Sequence, residues 1–391
     1  MADGIINKNI DVLKPSVSIE VAAKAKKLQE EGREILPLTL GEPNFDTPRP
    51  VVYCAIRELL NGNTHYAVGR GIPELRERIA KKLRKENGIK WSAGQVIVTP
   101  GAKYAIYLAI RTLINEGDEA IIPCPCWVSY SSLVTASGGV PVELELDFED
   151  NYSISEEKLE SVCTPRTKLL ILNSPNNPTG HILTREEIDI IRRFVLKHDL
   201  YIVSDEIYEK IVFDGRKNIS PGAFVDIAER VVTVNGFSKF AAMTGWRVGY
   251  LTAPPQISDK IYMLFQHTIT CIPGFTMKAA CVAFDCVEEA EEMRQAFENR
   301  RNRAEKILAG CSAISFNRSE GAFYMWLRIR FKNMNSLDLS DYLLENTGVI
   351  GVPGEAYGPG GKQCIRFSLA VDEDILEEGL RRVVLALGGH L

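Results

Sequence analysis

The apolar positions of this chain alternate between two periods. Short β-branched runs at 96–99, 120–122, 140–144, 169–172, 201–204, 231–234 and 249–251 read as strands. Between several of them lie stretches with apolar residues three and four apart, such as 102–113 and 185–198, which read as amphipathic helices. The runs Leu169-Leu170-Ile171-Leu172 and Ile202-Val203 are apolar without alternation, as expected of strands covered on both faces. This alternation predicts an α/β fold with a mostly parallel central sheet. Past about residue 285 the pattern changes. Residues 286–310 read as one long charged helix, followed by strand character at 322–329, a helix at 337–346 and a strand at 363–369. The expected organisation is an N-terminal arm with part of a small domain (1–46), a large domain (47–290) and a smaller α+β domain (291–391). The Glu/Lys-rich helical faces at 24–31 and 74–86 are expected to be solvated.

Bulk composition narrows the function classes. A length of 391 residues suits two domains. The net charge of −5 leaves no basic excess for nucleic acid or an anionic membrane. No apolar run is long enough to span a bilayer, and the first residues lack an apolar h-region. A cytoplasmic location with no membrane association is therefore expected. Nine cysteines include one C-x-C pair, Cys124 and Cys126, with no second pair to complete a metal site. No metal is expected, and free thiols in a reducing compartment are the better reading.

The candidate chemistry collects in the turns that follow the predicted strands. Val234-Asn235-Gly236-Phe237-Ser238-Lys239, with Arg247 eight positions on, places one lysine among small and polar residues. Such a lysine suits a covalent link to an aldehyde cofactor, and Ser238 and Arg247 suit its phosphate; that chemistry belongs to pyridoxal phosphate. Thr99-Pro100-Gly101-Ala102-Lys103 passes from a strand through a glycine turn into a helix, where backbone N–H groups meet phosphates. Asn177 lies just past the strand at 169–172, on the side where open α/β sheets bind ligands. Asp205 ends another strand, where a carboxylate favours a protonated pyridine, and Tyr208 is three residues on. Trp127 is a candidate ring platform. Arg366, in Cys364-Ile365-Arg366-Phe367-Ser368, is a candidate carboxylate clamp facing opposite to its apolar neighbours.

Taken together, GEPNFDTP (41–48), GIPELRERIA (71–80), NSPNNPTG (173–180), SDEIYE (204–209), VNGFSK (234–239), MTGWRVGY (243–250) and GAFY (321–324) resemble the fold-type I, class I/II pyridoxal-phosphate aminotransferases, nearest the prokaryotic aspartate aminotransferase branch. The resemblance runs from Lys14-Pro15-Ser16 to the C-terminal region. It implies a large cofactor domain and a smaller α+β domain, and an amino group moved between an L-amino acid and a 2-oxo acid. Aspartate, glutamate and aromatic amino acids are the candidate donors.

The resemblance also implies roles. Lys239 forms the Schiff base and shuttles the proton at the substrate Cα. Asp205 pairs with the ring nitrogen and Tyr208 with the phenolic oxygen. Gly101, Ala102, Lys103, Ser238 and Arg247 hold the phosphate, joined by Tyr66 from a neighbouring subunit, so a homodimer is implied. Trp127 stacks on the ring and borders the substrate. Asn177, Arg366 and the main chain at Gly41 take the substrate carboxylate. Lys14, on an arm that folds over the pocket in the family, is a candidate for a distal carboxylate.

The chain departs from the family pattern at several places. Gly101-Ala102-Lys103-Tyr104 stands where Gly-Gly-Lys-Gln is common, and Cys126 replaces the aromatic residue usual before the stacking tryptophan. Residues 270–276 lack the usual Ser/Asn-rich pattern, and Tyr324-Met325-Trp326-Leu327-Arg328 is bulkier than typical. These changes leave the cofactor set intact and alter the side-chain pocket. They motivate one alternative on the same scaffold, a pyridoxal-phosphate lyase, decarboxylase or oxidase. A non-catalytic sensor is disfavoured, because the resemblance begins near residue 14 and leaves no segment for a DNA-binding domain.

Overall fold

The computed structural model describes residues 6–390, apart from the side chain of residue 18. In chain order its strands are β1 (Leu36–Pro37), β2 (Val96–Thr99), β3 (Glu119–Cys124), β4 (Val140–Glu145), β5 (Thr167–Asn173), β6 (Tyr201–Asp205), β7 (Val231–Gly236), β8 (Gly249–Thr252), β9 (Ile314–Phe316), β10 (Tyr324–Ile329), β11 (Val349–Ile350), β12 (Val352–Pro353) and β13 (Cys364–Ser368). A seven-stranded sheet runs in the order β2-β8-β7-β6-β5-β3-β4. Each predicted strand of the first half forms, extended by at most a few residues. Every residue of β2, β7 and β8 is buried, Thr99, Thr233, Asn235 and Thr252 included, as in strands covered on both faces. Edge strand β4 alternates between exposed and covered positions.

The sheet is parallel except at β8, which pairs antiparallel with both β2 and β7. A parallel return needs a crossover, usually a helix. The connection from Gly236 to Gly249 contains none, so the chain turns back beside its own strand. That return loop carries Lys239 and Arg247.

The helices start and stop where local chemistry requires. Arg185–His198 opens on a capping box, in which Thr184 Oγ1 accepts from Glu187 N–H (3.2 Å) and Glu187 Oε2 accepts from Thr184 N–H (2.8 Å). It ends at Asp199 in the left-handed region. The helix Ala102–Leu113 has no side-chain cap, which leaves its first N–H groups for another partner.

Beyond the long helix Val287–Leu308, an antiparallel sheet in the order β12-β13-β10-β9 packs with the helix Glu373–Ala386 around Phe297, Leu308, Phe323, Leu380 and Val383. Strand β1 pairs in parallel with β11 in a separate two-stranded sheet, which ties the N-terminal segment to the C-terminal part of the chain.

One expectation is corrected. The helical face at 74–86 is not uniformly solvated: Leu75, Ile79, Ala80, Lys82 and Leu83 are buried. The helix Pro73–Lys82 runs into a π-turn at Leu83–Asn87, where Lys82 pairs with buried Glu209 and donates to Asn87 Oδ1 (2.8 Å). An ammonium is tolerated there because its charge and its hydrogen bonds are met together.

Candidate active site

Strands β2, β3, β5, β6 and β7 all end at the same edge of the sheet. The residues just past those ends meet in one cavity of about 470 Å³. Ala102 and Lys103, Trp127, Asn177, Asp205, and Ser238 with Lys239 come from these five ends, and Arg366 and Tyr324 reach in from the second sheet.

Asp205 closes β6 and is buried. Its Oδ2 accepts from Tyr130 OH at 2.7 Å, and its Oδ1 from Ile207 N–H at 3.2 Å. Burial pushes its carboxyl up to about 6, against the Tyr130 and Ile207 hydrogen bonds and the nearby Lys239 charge. Tyr208 OH lies 3.0 Å from Tyr324 OH, and burial holds the Tyr208 phenol well above its ordinary value, so it stays a neutral donor. Lys239 is half-buried, and its Nζ donates to the Gly41 carbonyl at 2.6 Å. Burial pushes its amine down to about 8. Glu42 and Asp205 oppose that shift, while Arg366 and Arg247 add to it. A substantial share of this amine is neutral and nucleophilic at mildly alkaline pH.

The corner by the helix Ala102–Leu113 is built from very close backbone approach. A Cβ on Gly249 would lie 2.4 Å from Ala102 N and Gly101 C. Gly101 adopts φ +82°, and a Cβ there would meet an Arg247 guanidinium nitrogen at 2.5 Å. Arg247 itself sits at φ +55°, anchored by its donation to Thr244 O (2.9 Å). Uncapped N–H groups, the Ser238 hydroxyl and a guanidinium thus converge on a volume fit for a phosphate.

At the opposite side Arg366 is buried, donating to Asn177 Oδ1 (3.1 Å) and Thr39 O (2.8 Å) with its Cζ 4.2 Å from the Tyr324 ring centre. Its Nε has no partner, and no carboxylate pairs with it among the described residues. A buried guanidinium in that state calls for an anion. All of β13 is buried, so Arg366 is not on a solvent face; its apolar neighbours fill the core while it enters the cavity.

Trp127 borders the cavity, edge-on to Tyr130 with ring centres 5.3 Å apart. Lys103 Nζ lies 4.9 Å over the Trp127 ring, its pKa lowered by burial and then by Arg247. Three expected residues are not in the cavity lining: Gly101, which packs against Arg247, and Tyr66 and Lys14. Tyr66 is 90% exposed. Lys14 is exposed as well. Tyr130, Glu42, Thr244 and Tyr357 border the cavity without having been singled out. Only Tyr130 carried a signal, one helical turn after Trp127.

The donor set fits pyridoxal phosphate: an anion cradle, an acid for a ring nitrogen, a phenol, a flat platform and a poised amine. Fold and site together define a pyridoxal-phosphate enzyme of the aspartate aminotransferase type. The chain belongs to the aminotransferase class I and II family, whose model matches residues 33–383. It is 38% identical over 394 residues to a probable aspartate/prephenate aminotransferase of Aquifex aeolicus, covering 99% of each chain. It is 39% identical over 353 residues to aromatic-amino-acid aminotransferase 2 of Thermococcus litoralis, covering 89% of this chain and 90% of the other. The structure of Thermus thermophilus aspartate aminotransferase with maleate superposes with a TM-score of 0.92 at 35% identity, covering 98% and 99%. The protein is a pyridoxal-phosphate-dependent transaminase acting on an amino acid and a 2-oxo acid. These relatives do not favour lyase, decarboxylase or oxidase chemistry. Among the described residues no helix is long and apolar enough to cross a membrane.

Proposed function

We propose that the cavity transfers the amino group of a dicarboxylic or aromatic L-amino acid, with Arg366 and Asn177 gripping the α-carboxylate and Lys239 as nucleophile and proton carrier at the substrate Cα. The observation that carries this reading is the buried Arg366, paired with no carboxylate among the described residues, in the same cavity as a lysine whose amine is pushed down to about 8. Bound beside them, pyridoxal phosphate supplies an electrophilic carbon and a ring that withdraws electrons from the substrate Cα. Asp205 holds the proton at the ring nitrogen, and Tyr208 serves the phenolic oxygen. The main-chain N–H groups of Gly101, Ala102 and Lys103, with the Ser238 hydroxyl and the Arg247 guanidinium, would hold the phosphate, and Trp127 would cover the ring. The Gly41 N–H donates to the substrate carboxylate.

The side-chain end supports two donor classes. Ile19, Ala22, Leu40 and Val128 line an apolar wall that suits an aromatic ring. The Lys103 ammonium beside Trp127 has no ion-pair or hydrogen-bond partner among the described residues, which suits a distal carboxylate better than exposed Lys14 does. Lys103→Ala is expected to lower kcat/KM for L-glutamate and L-aspartate about 10–100-fold. The same change should leave L-phenylalanine within about three-fold. Steady-state assays against 2-oxoglutarate, oxaloacetate and pyruvate read the difference. An equal loss on all donors would remove Lys103 from substrate recognition.

A homodimer in the cytoplasm completes the reading. Tyr53, Leu60, Tyr66, Val68 and Met263 are exposed, an apolar surface suited to a second copy of the chain. Tyr66 would then reach the phosphate of the neighbouring site. Tyr66→Ala and Lys239→Ala proteins should each be nearly inactive, yet their co-refolded mixture should recover activity. In the hybrid, one site combines Lys239 with Tyr66 of the partner subunit. A mixture no more active than its parts would place Tyr66 in its own subunit's site or outside any site.

A further inference from the structure

We infer that Tyr130 is the positioning residue for Asp205: its hydroxyl holds that carboxylate ionised and in one rotamer, and so keeps the shared proton on the cofactor's ring nitrogen. The inference rests on the role given to Asp205 above. Tyr130 is 1% exposed and Asp205 4%, and they meet at 2.7 Å with the phenol as donor. The phenol itself is held well above its ordinary value by burial and by the Asp205 charge, so it keeps its proton throughout the working range.

A buried carboxylate left alone would take up a proton. Three groups oppose that at Asp205: the Tyr130 hydroxyl, the Ile207 N–H and the charge of Lys239. The other titratable groups facing the pair are Tyr208 and Cys126, and neither supplies a positive charge. Of these groups, Tyr130 is the side chain in direct hydrogen-bond contact with the carboxylate. The same residue opens the helix Tyr130–Ala136 and sits edge-on to Trp127, so acid and ring platform are set by one rigid turn.

Tyr130→Phe removes the hydroxyl and keeps the ring. The dissociation constant of pyridoxal phosphate, measured from pH 5 to 9 for wild type, Tyr130→Phe and Asp205→Asn, tests the idea. Loss of the donor raises the Asp205 pKa, so the midpoint of the acid limb should move up by about one pH unit. Binding on that limb should weaken about ten-fold, with the alkaline plateau within about three-fold of wild type. Tyr130→Leu should shift the midpoint equally, which separates loss of the donor from loss of the ring. If Tyr130→Phe superimposes on wild type while Asp205→Asn abolishes the limb, Tyr130 has no such role and the Asp205 assignment stands. If Asp205→Asn keeps both limb and affinity, the Asp205 assignment fails, and this inference with it.

Discussion

Lys239→Ala is expected to lower kcat at least about 10⁴-fold with every amino donor. Two functions are lost together: the nucleophile that links to the cofactor and the base that moves the proton at Cα. Lys103 lies over Trp127, and the remaining cations of the cavity are the guanidinium groups of Arg247 and Arg366. The fold should survive, because Lys239 is half-buried at the cavity wall and its side chain makes a single hydrogen bond, to Gly41, among the described residues. Cofactor should still bind, held at the uncapped helix and by Asp205, but without the absorbance of the lysine-linked form. Turnover within about ten-fold of wild type would overturn the assignment of Lys239.

Arg366→Ala should have the next largest effect, confined to the amino- and oxo-acid side of the reaction. Truncating one member of a buried charge pair costs about 3–4 kcal/mol, which corresponds to roughly 10²–10³-fold in kcat/KM. The dissociation constant of pyridoxal phosphate should change little, since Arg366 lies with Asn177 and Thr39, away from the Gly101 corner. Arg366→Lys should recover only part of the loss, because an ammonium lacks the planar fork that engages both carboxylate oxygens. An unchanged kcat/KM, or a loss traced to cofactor affinity, would contradict the clamp.

The elements were legible in the sequence because their signals are local. Strands β2 to β8 were visible as short β-branched runs, and the helices Ala102–Leu113 and Arg185–His198 as periodic stretches. The motif residues were legible too, since each follows a strand that could be read, and parallel strands bring their ends to one edge. What escaped depends on partners far apart in the chain. The Tyr130–Asp205 bond spans 75 positions, and the Lys82–Glu209 pair spans 127. No period or spacing announces either, so Lys82 read as one more solvated lysine. The antiparallel turn at β8 escaped because an apolar four-residue strand reads the same in either direction. Arg366 was singled out and borders the cavity, but the strand pattern did not show how deeply it is buried. Alternation separates two faces of a strand, and here both are covered. Lys14 was singled out through the family's arm and is exposed, whereas Lys103 borders the cavity, where Ala102 and Lys103 open a helix after Gly101.

The central claim is that Lys239 is the residue that carries the cofactor. Borohydride reduction of the protein loaded with pyridoxal phosphate, followed by peptide mass mapping, tests it most directly. The expected result is one phosphopyridoxyl group per chain, on the peptide containing Lys239, and none after prior conversion with an excess of L-glutamate. A label on Lys103 or any other lysine, with Lys239 unmodified, would contradict the account.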